Sequence, residues 1–280
     1  MEYVTLNNGV KMPKLGFGVY QVEDQDECEQ SVLSALNAGY RLLDTSAAYF
    51  NEEAVGNAIK KSNVAREDLF ITTKLWIQDA SYERAKKAFE TSLKKLQLDY
   101  LDLYLIHQPF GDYYGAWHAM EELYKEGKIR AIGVSNFGSD RLVDLILNNE
   151  VTPAINQIEY HPYFQQKDAI KVMKDENVQP EAWSPLGHGG QILKNPILAE
   201  IAEKYHKSIA QVILRWDLQS KVVTIPKSVH QERIESNFDI FDFELTKVEM
   251  DIISSLDRNE FIADLHDVDL VKQLNELKVR

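Results

Sequence analysis

A single cysteine, Cys28, among 280 residues excludes an internal disulfide and a thiolate metal cage. That usage fits a reducing compartment, so the cytoplasm is the expected location. No stretch approaches about 18 uninterrupted apolar residues, and the sequence therefore offers no membrane span. The opening residues Met1 to Gly9 are polar and acidic rather than basic and then apolar, so no secretory signal is read there. Positive charge is scarce as well: 31 Lys and Arg stand against 44 Asp and Glu, for a net charge of -13. Such a field repels a polyanion and removes nucleic acid from the expected partners. An anionic small ligand would need a local basic cluster of its own.

What is present is the composition of an ordered globular protein, 44% apolar and 27% charged. Two short runs, 3–6 and 10–12, flank Asn7-Asn8-Gly9, which has the turn chemistry of a β-hairpin. Beyond it, β-rich runs at 15–19, 41–44, 69–73, 101–106, 129–134, 154–158, 179–183 and 222–225 alternate with helical patterns. The helices are expected at 26–38, 52–61, 82–96, 116–126, 140–148, 167–175 and 196–206, with a separate one at 208–219. This alternation predicts parallel strands joined by crossover helices. An open doubly wound sheet usually carries G-x-G-x-x-G after its first strand, and Gly16-Phe17-Gly18-Val19-Tyr20-Gln21 lacks the third glycine. With no linker or low-complexity insert, the expectation is one α/β domain over residues 1–280. It is a (β/α)8 TIM barrel with an N-terminal β-hairpin, and its length is near the roughly 250 residues such barrels need.

A barrel places its chemistry at the C-terminal ends of its strands. Polar residues there are Asp44, Lys74, His107, Ser135, Asn136, Gln157, Glu159, His161, Ser184 and Lys227, with Tyr49 on the loop after the second strand. Singly, Asp44 could cap a turn, Tyr49 could be a half-buried aromatic, Lys74 a surface lysine and His107 a core histidine. Jointly, Asp44-Thr45-Ser46-Ala47-Ala48-Tyr49, Thr72-Thr73-Lys74-Leu75-Trp76 and Leu105-Ile106-His107-Gln108-Pro109 resemble the aldo-keto reductase family, whose tetrad is aspartate, tyrosine, lysine and histidine. The resemblance implies NADPH-dependent reduction of a small-molecule carbonyl substrate, with Tyr49 as the proton donor. A phenol with an ordinary pKa of about 10 is a weak acid near neutral pH. An ammonium about 4 Å away favours the phenolate by up to roughly 4 kcal/mol, or about three pKa units, before desolvation subtracts from it. Lys74 is expected to supply that shift, Asp44 to keep Lys74 charged, and His107 to orient the substrate carbonyl.

Further segments match the family in order. Gly133-Val134-Ser135-Asn136-Phe137 and Asn156-Gln157-Ile158-Glu159-Tyr160-His161-Pro162 imply that Ser135, Asn136 and Gln157 hold the nicotinamide carboxamide. Ala182-Trp183-Ser184-Pro185-Leu186-Gly187 implies stacking by Trp183, where tyrosine is commoner, with cofactor contacts at Ser184 and Leu186. The glycines of Gly187-His188-Gly189-Gly190 offer backbone N–H groups for the pyrophosphate. The basic cluster that an anionic ligand needs follows the last strand: by the resemblance, Lys227, Ser228 and Arg233 would surround a 2′-phosphate, the feature that selects NADPH, and Asn237 keeps the adenine-facing match. Ser236 departs from the glutamate often found there. As plain structure, these polar residues could instead cap helices or close turns, and Trp183 could be a core aromatic.

His107-Gln108-Pro109 with the short Phe110-Gly111-Asp112 loop is similar to bacterial diketogluconate-reductase-like and methylglyoxal-reducing members. Tyr20, Trp76 and Phe110 are expected to line the substrate pocket, in a monomer. Small aldehydes, α-keto aldehydes such as methylglyoxal, and keto sugars all suit such a mouth. Three other readings use the same residues. Glu159 and His161 could belong to a metal site, although no H-x-H or H-E-x-x-H run supports one and the Lys74 ammonium opposes a cation. Lys74 could form a Schiff base, except that Asp44 would hold it protonated. The barrel could also be an NADPH-binding regulatory or sensor protein with little turnover.

Overall fold

The computed structural model describes residues 1–279. β1 (Tyr3–Thr5) and β2 (Lys11–Pro13) pair antiparallel, with Val4 opposite Met12. Their turn closes through Leu6 N–H to Val10 O at 2.9 Å and places Gly9 at φ 87°, the left-handed region that favours glycine. There follow β3 (Gly16–Gly18), α1 (Gln25–Ala38), β4 (Leu42–Asp44), α2 (Glu52–Lys61), β5 (Phe70–Leu75), α3 (Tyr82–Leu96), β6 (Leu101–Ile106) and α4 (Tyr113–Lys125). Next come β7 (Ile129–Ser135), α5 (Ser139–Leu147), β8 (Ile155–Glu159), α6 (Lys167–Asp175) and β9 (Gln179–Trp183). α7 (Pro196–Tyr205), α8 (Ile209–Gln219) and β10 (Val223–Thr224) complete the repeat.

The strands from β3 to β10 lie side by side in sequence order, all parallel. Thr224 meets Leu15 across a parallel bridge and donates from N–H to Lys14 O at 2.9 Å, while Gly18 N–H reaches Pro226 O at 3.1 Å. The last strand thus returns to the first, and the (β/α)8 barrel with its N-terminal hairpin is the architecture observed.

Two-residue periodicity divides each strand between two cores. Leu42, Phe70, Leu103, Leu105, Ile155 and Val223 point inward, and the hairpin residues Leu6 and Met12 close the barrel floor beneath them. The alternate residues Leu43, Ile71, Tyr104, Ile106 and Ile132 pack outward against the helices. Inward parity continues upward from the floor, so Asp44 follows Leu42, Lys74 follows Phe70 by four and His107 follows Leu105. The interior is tight at Gly133, where a Cβ would stand 2.7 Å from Ile155 O and 2.8 Å from Leu105 Cδ2.

Several bounds differ from those expected. β5 runs on to Leu75 and β8 to Glu159, because both stay paired in the closed barrel, so Lys74 lies inside its strand rather than after it. α4 begins at Tyr113, where Asp112 accepts from Gly115 N–H at 2.9 Å. Three helices were not expected: α9 (Gln231–Phe238), α10 (Lys247–Ser254) and α11 (Val268–Glu276). α10 starts with a Thr246/Glu249 capping box and α11 with Asp267 accepting from Asp269 and Leu270 N–H.

Candidate active site

At the C-terminal mouth, Lys74 Nζ stands 2.5 Å from Asp44 Oδ1, 2.9 Å from Thr45 O and 3.4 Å from Tyr49 Oη. Lys74 is fully buried and Asp44 is 2% exposed, so this ion pair is out of reach of solvent screening. Tyr49 arrives by a 3-10 turn, Ala47–Tyr49, that begins where the Ser46 side chain accepts from Ala48 N–H at 3.2 Å. His107 completes the cluster: its ring meets Tyr49 edge-on at 5.5 Å and Trp76 at 5.1 Å, and Ser46 Oγ lies 2.9 Å from its Nδ1. The four residues of the expected tetrad therefore come together at one end of the barrel.

The electrostatics differ from the expectation in one respect. Burial pushes the Tyr49 phenol up to about 12, outweighing the lowering by the Lys74 ammonium, and Asp44 adds to the rise. Withdrawal from water costs the phenolate more than one ammonium returns, and the lysine's charge is already engaged at 2.5 Å by Asp44. Lys74 itself is drawn down by burial but held above its ordinary value by Asp44, Tyr49 and Glu181, so it is charged at neutral pH. Burial and the Lys74 charge push His107 well below its ordinary value, so the imidazole is neutral.

A second carboxyl, Glu181 on β9, lies beneath the tetrad and escaped the sequence reading. Gln157 Nε2 bridges it to the first, donating to Asp44 Oδ2 at 2.9 Å and to Glu181 Oε2 at 3.0 Å. Burial, then repulsion from Asp44, raises Glu181 from an ordinary 4.5 to about 8, against the lowering by Gln157 and Lys74. At neutral pH Glu181 thus keeps its proton beside the buried Lys74–Asp44 ion pair. Between pH 4.5 and 8 the unfolded chain releases this proton while the folded protein keeps it, so stability falls as pH rises through that window. Glu181→Gln is expected to flatten that decline, read as the thermal unfolding midpoint against pH. An unchanged slope would show that Glu181 does not carry the proton.

The residues expected on the cofactor side form a connected set. Ser135 Oγ donates to Gln157 O at 3.0 Å, Asn136 Nδ2 donates to His107 O and to Ser135 Oγ at 3.1 Å each, and Trp183 Nε1 donates to Asn136 Oδ1 at 2.8 Å. Asn136 and Ser184 sit at φ 64° and 49°, left-handed conformations that bend the chain sharply at two strand ends. Leu186 is half-buried, and Gly187–Gly189 forms a 3-10 turn. On the far side, Lys227 and Arg233 are exposed, and neither has an ion-pair partner among the described residues. Ser228 and Asn237 are buried beside them, and a cavity of about 740 Å³ is lined by Val229, His230, Gln231, Glu232, Arg233 and Glu235.

The expected pocket residues also meet. Tyr20 is 50% exposed with its ring 5.0 Å from Tyr49, Trp76 is buried against His107, and half-buried Phe110 packs against the cluster of Trp76, Ile77 and Val279. The tail after Asn259, which no motif explains, is fastened to this mouth at two points. Glu159 accepts from Ile262 N–H at 2.6 Å and Ala263 N–H at 3.3 Å, with His161 Nε2 at 3.1 Å. Trp76 Nε1 donates to Leu277 O at 3.1 Å, and Val279 N–H reaches Gln78 Oε1 at 2.9 Å. Both oxygens of Glu159 are engaged by backbone N–H groups, so the Glu159–His161 pair anchors the tail.

Residues 14–258 match the Aldo/keto reductase family. The chain belongs to that family. It is 55% identical over 263 residues to glyoxal reductase of Bacillus subtilis, covering 94% of this chain and 95% of that protein. Methylglyoxal reductase DkgA of Escherichia coli is 47% identical over 261 residues, covering 92% and 94%. A Bombyx mori aldo-keto reductase solved in complex with NADP superposes with a TM-score of 0.90 at 36% identity, covering 96% of each chain. As a family member the protein is an NADP-dependent oxidoreductase that reduces carbonyl groups, of the bacterial methylglyoxal-reducing type.

Proposed function

We propose that Tyr49 is the proton donor of this reduction, that Lys74 and Asp44 support it, and that His107 orients the carbonyl. The substrates are α-keto aldehydes such as methylglyoxal, other small aldehydes and keto sugars. The observation that carries the assignment is Lys74 Nζ lying between Asp44 Oδ1 at 2.5 Å and Tyr49 Oη at 3.4 Å, within a buried site. NADPH, when bound, supplies the hydride. The phenol is protonated throughout neutral pH, so its proton is available to an alkoxide, a far stronger base. The phenolate left behind faces an ammonium that is already in place, which requires no reorganisation during the reaction. Loss of NADPH absorbance on mixing purified protein, NADPH and methylglyoxal tests the reading. Binding without turnover would overturn it in favour of a nucleotide sensor.

Ser135, Asn136 and Gln157 hold the carboxamide, Trp183 stacks on the ring, and Ser184 and Leu186 line the path toward the phosphates. Lys227, Ser228 and Arg233 take the 2′-phosphate, with Asn237 toward the adenine. Support comes from two exposed cations without ion-pair partners among the described residues, set beside buried Ser228 and Asn237 in a protein of net charge -13. Charge-assisted bonds of this kind are worth about 1.5–3 kcal/mol. Lys227→Ala or Arg233→Ala is therefore expected to raise the NADPH Kd at least tenfold and leave that for NADH nearly unchanged. Equal weakening of both nucleotides would contradict a 2′-phosphate contact. Residues 1–280 act as one domain and as a cytoplasmic monomer, supported by buried, unpaired Cys28 and a tail that closes on its own barrel. Among the described residues no helix is long and apolar enough to cross a membrane.

A further inference from the structure

A neutral imidazole carries one N–H, and which nitrogen holds it decides whether His107 meets a carbonyl oxygen with a hydrogen or with a lone pair. Nδ1 faces Ser46 Oγ at 2.9 Å, both residues being buried. Nε2 has no hydrogen-bond partner among the described residues. Ser46 Oγ already accepts from Ala48 N–H at 3.2 Å, and Nδ1 is the one acceptor its own hydrogen reaches among the described residues. Were Nδ1 protonated, the hydroxyl would accept twice and its O–H would be buried without an acceptor, an arrangement that native structures avoid. The Ser46 O–H therefore donates to Nδ1, and the ring hydrogen stays on Nε2. The rings of Tyr49 and Trp76 restrict rotation that would exchange the two nitrogens.

We propose that Ser46 is a positioning residue for the reduction: its hydroxyl holds His107 as the Nε2–H tautomer and so presents a donor to the substrate carbonyl. The presentation of that donor rests on the role assigned above to His107. The same hydroxyl caps the turn that carries Tyr49, whose N–H bonds to Ser46 O at 3.0 Å, so one side chain sets both the acid and the orienting donor. The donor gains strength as negative charge develops on the carbonyl oxygen, so its loss lowers kcat more than it raises KM.

The test is NMR of the histidine ring nitrogens in isotope-labelled, full-length protein at neutral pH, with His107 assigned by its absence from His107→Gln. The wild type is expected to show His107 as the Nε2–H tautomer with a hydrogen-bonded Nδ1. In Ser46→Ala that Nδ1 signal should shift, an Nδ1–H population should appear, and kcat/KM for methylglyoxal should drop by about tenfold, the worth of one hydrogen bond. The NADPH Kd should not change. Ser46→Thr, which keeps the hydroxyl, should restore the ring signals. An Nδ1–H ring in the wild type, or a ring spectrum unmoved by Ser46→Ala, would overturn the proposal. Ring signals that respond as expected in a protein that reduces no aldehyde would reject the role of His107 and leave the tautomer lock standing, so the two failures are distinguishable.

Discussion

Tyr49→Phe is expected to lower kcat by about a thousandfold, the usual scale of a lost general acid, while the NADPH Kd stays within about twofold. The substitution deletes one oxygen. The ring contacts with Tyr20 and His107 remain, and Lys74 keeps Asp44 at 2.5 Å and Thr45 O at 2.9 Å, so only the 3.4 Å bond to Tyr49 Oη is lost. Stability should therefore change by no more than about 1 kcal/mol. The direction of the Tyr49 shift adds a pH signature. Because burial holds the phenol near 12, the acid form persists through neutral pH and reduction should not lose its proton donor there. The reverse oxidation needs a proton acceptor at the same oxygen, so its rate should climb with pH in the wild type. Steady-state kinetics in both directions across pH check this, and near-wild-type kcat in Tyr49→Phe would remove Tyr49 from its role.

The tetrad was legible because barrel chemistry gathers at strand ends and because inward parity can be counted from the apolar residues below. Leu42 to Asp44 and Leu105 to His107 are each one step of that count. The same count reaches Glu181 from Trp183, yet attention to strand ends alone passes over a carboxyl one step deeper. Ser46 was invisible for another reason: it sits in a loop, and its partner His107 is 61 residues away, a relation that only the closed barrel creates. The tail contacts share this character, since Trp76 and Leu277 are 201 residues apart. The sign of the Tyr49 shift was hidden because attraction between unit charges can be estimated from an assumed distance, whereas desolvation depends on everything packed around the oxygen.

Asp44→Asn should be the most damaging single change to the fold within the site, costing about 3–5 kcal/mol of stability. It leaves the fully buried Lys74 ammonium without the carboxylate at 2.5 Å, and burial then drives that lysine toward its neutral form. A neutral lysine no longer supports a phenolate, so kcat should fall with stability. Glu181 limits the damage. Repulsion from Asp44 is part of what keeps Glu181 protonated, so removing Asp44 lets Glu181 ionise more readily and take over some of the compensation of Lys74. Asp44→Asn combined with Glu181→Gln should consequently cost more than the sum of the two single changes, by about 1 kcal/mol of coupling. Urea unfolding of the four proteins in this double-mutant cycle measures it. Additive losses would mean that Glu181 does not respond to the charge above it, and a stable Asp44→Asn would mean that Lys74 does not depend on its aspartate.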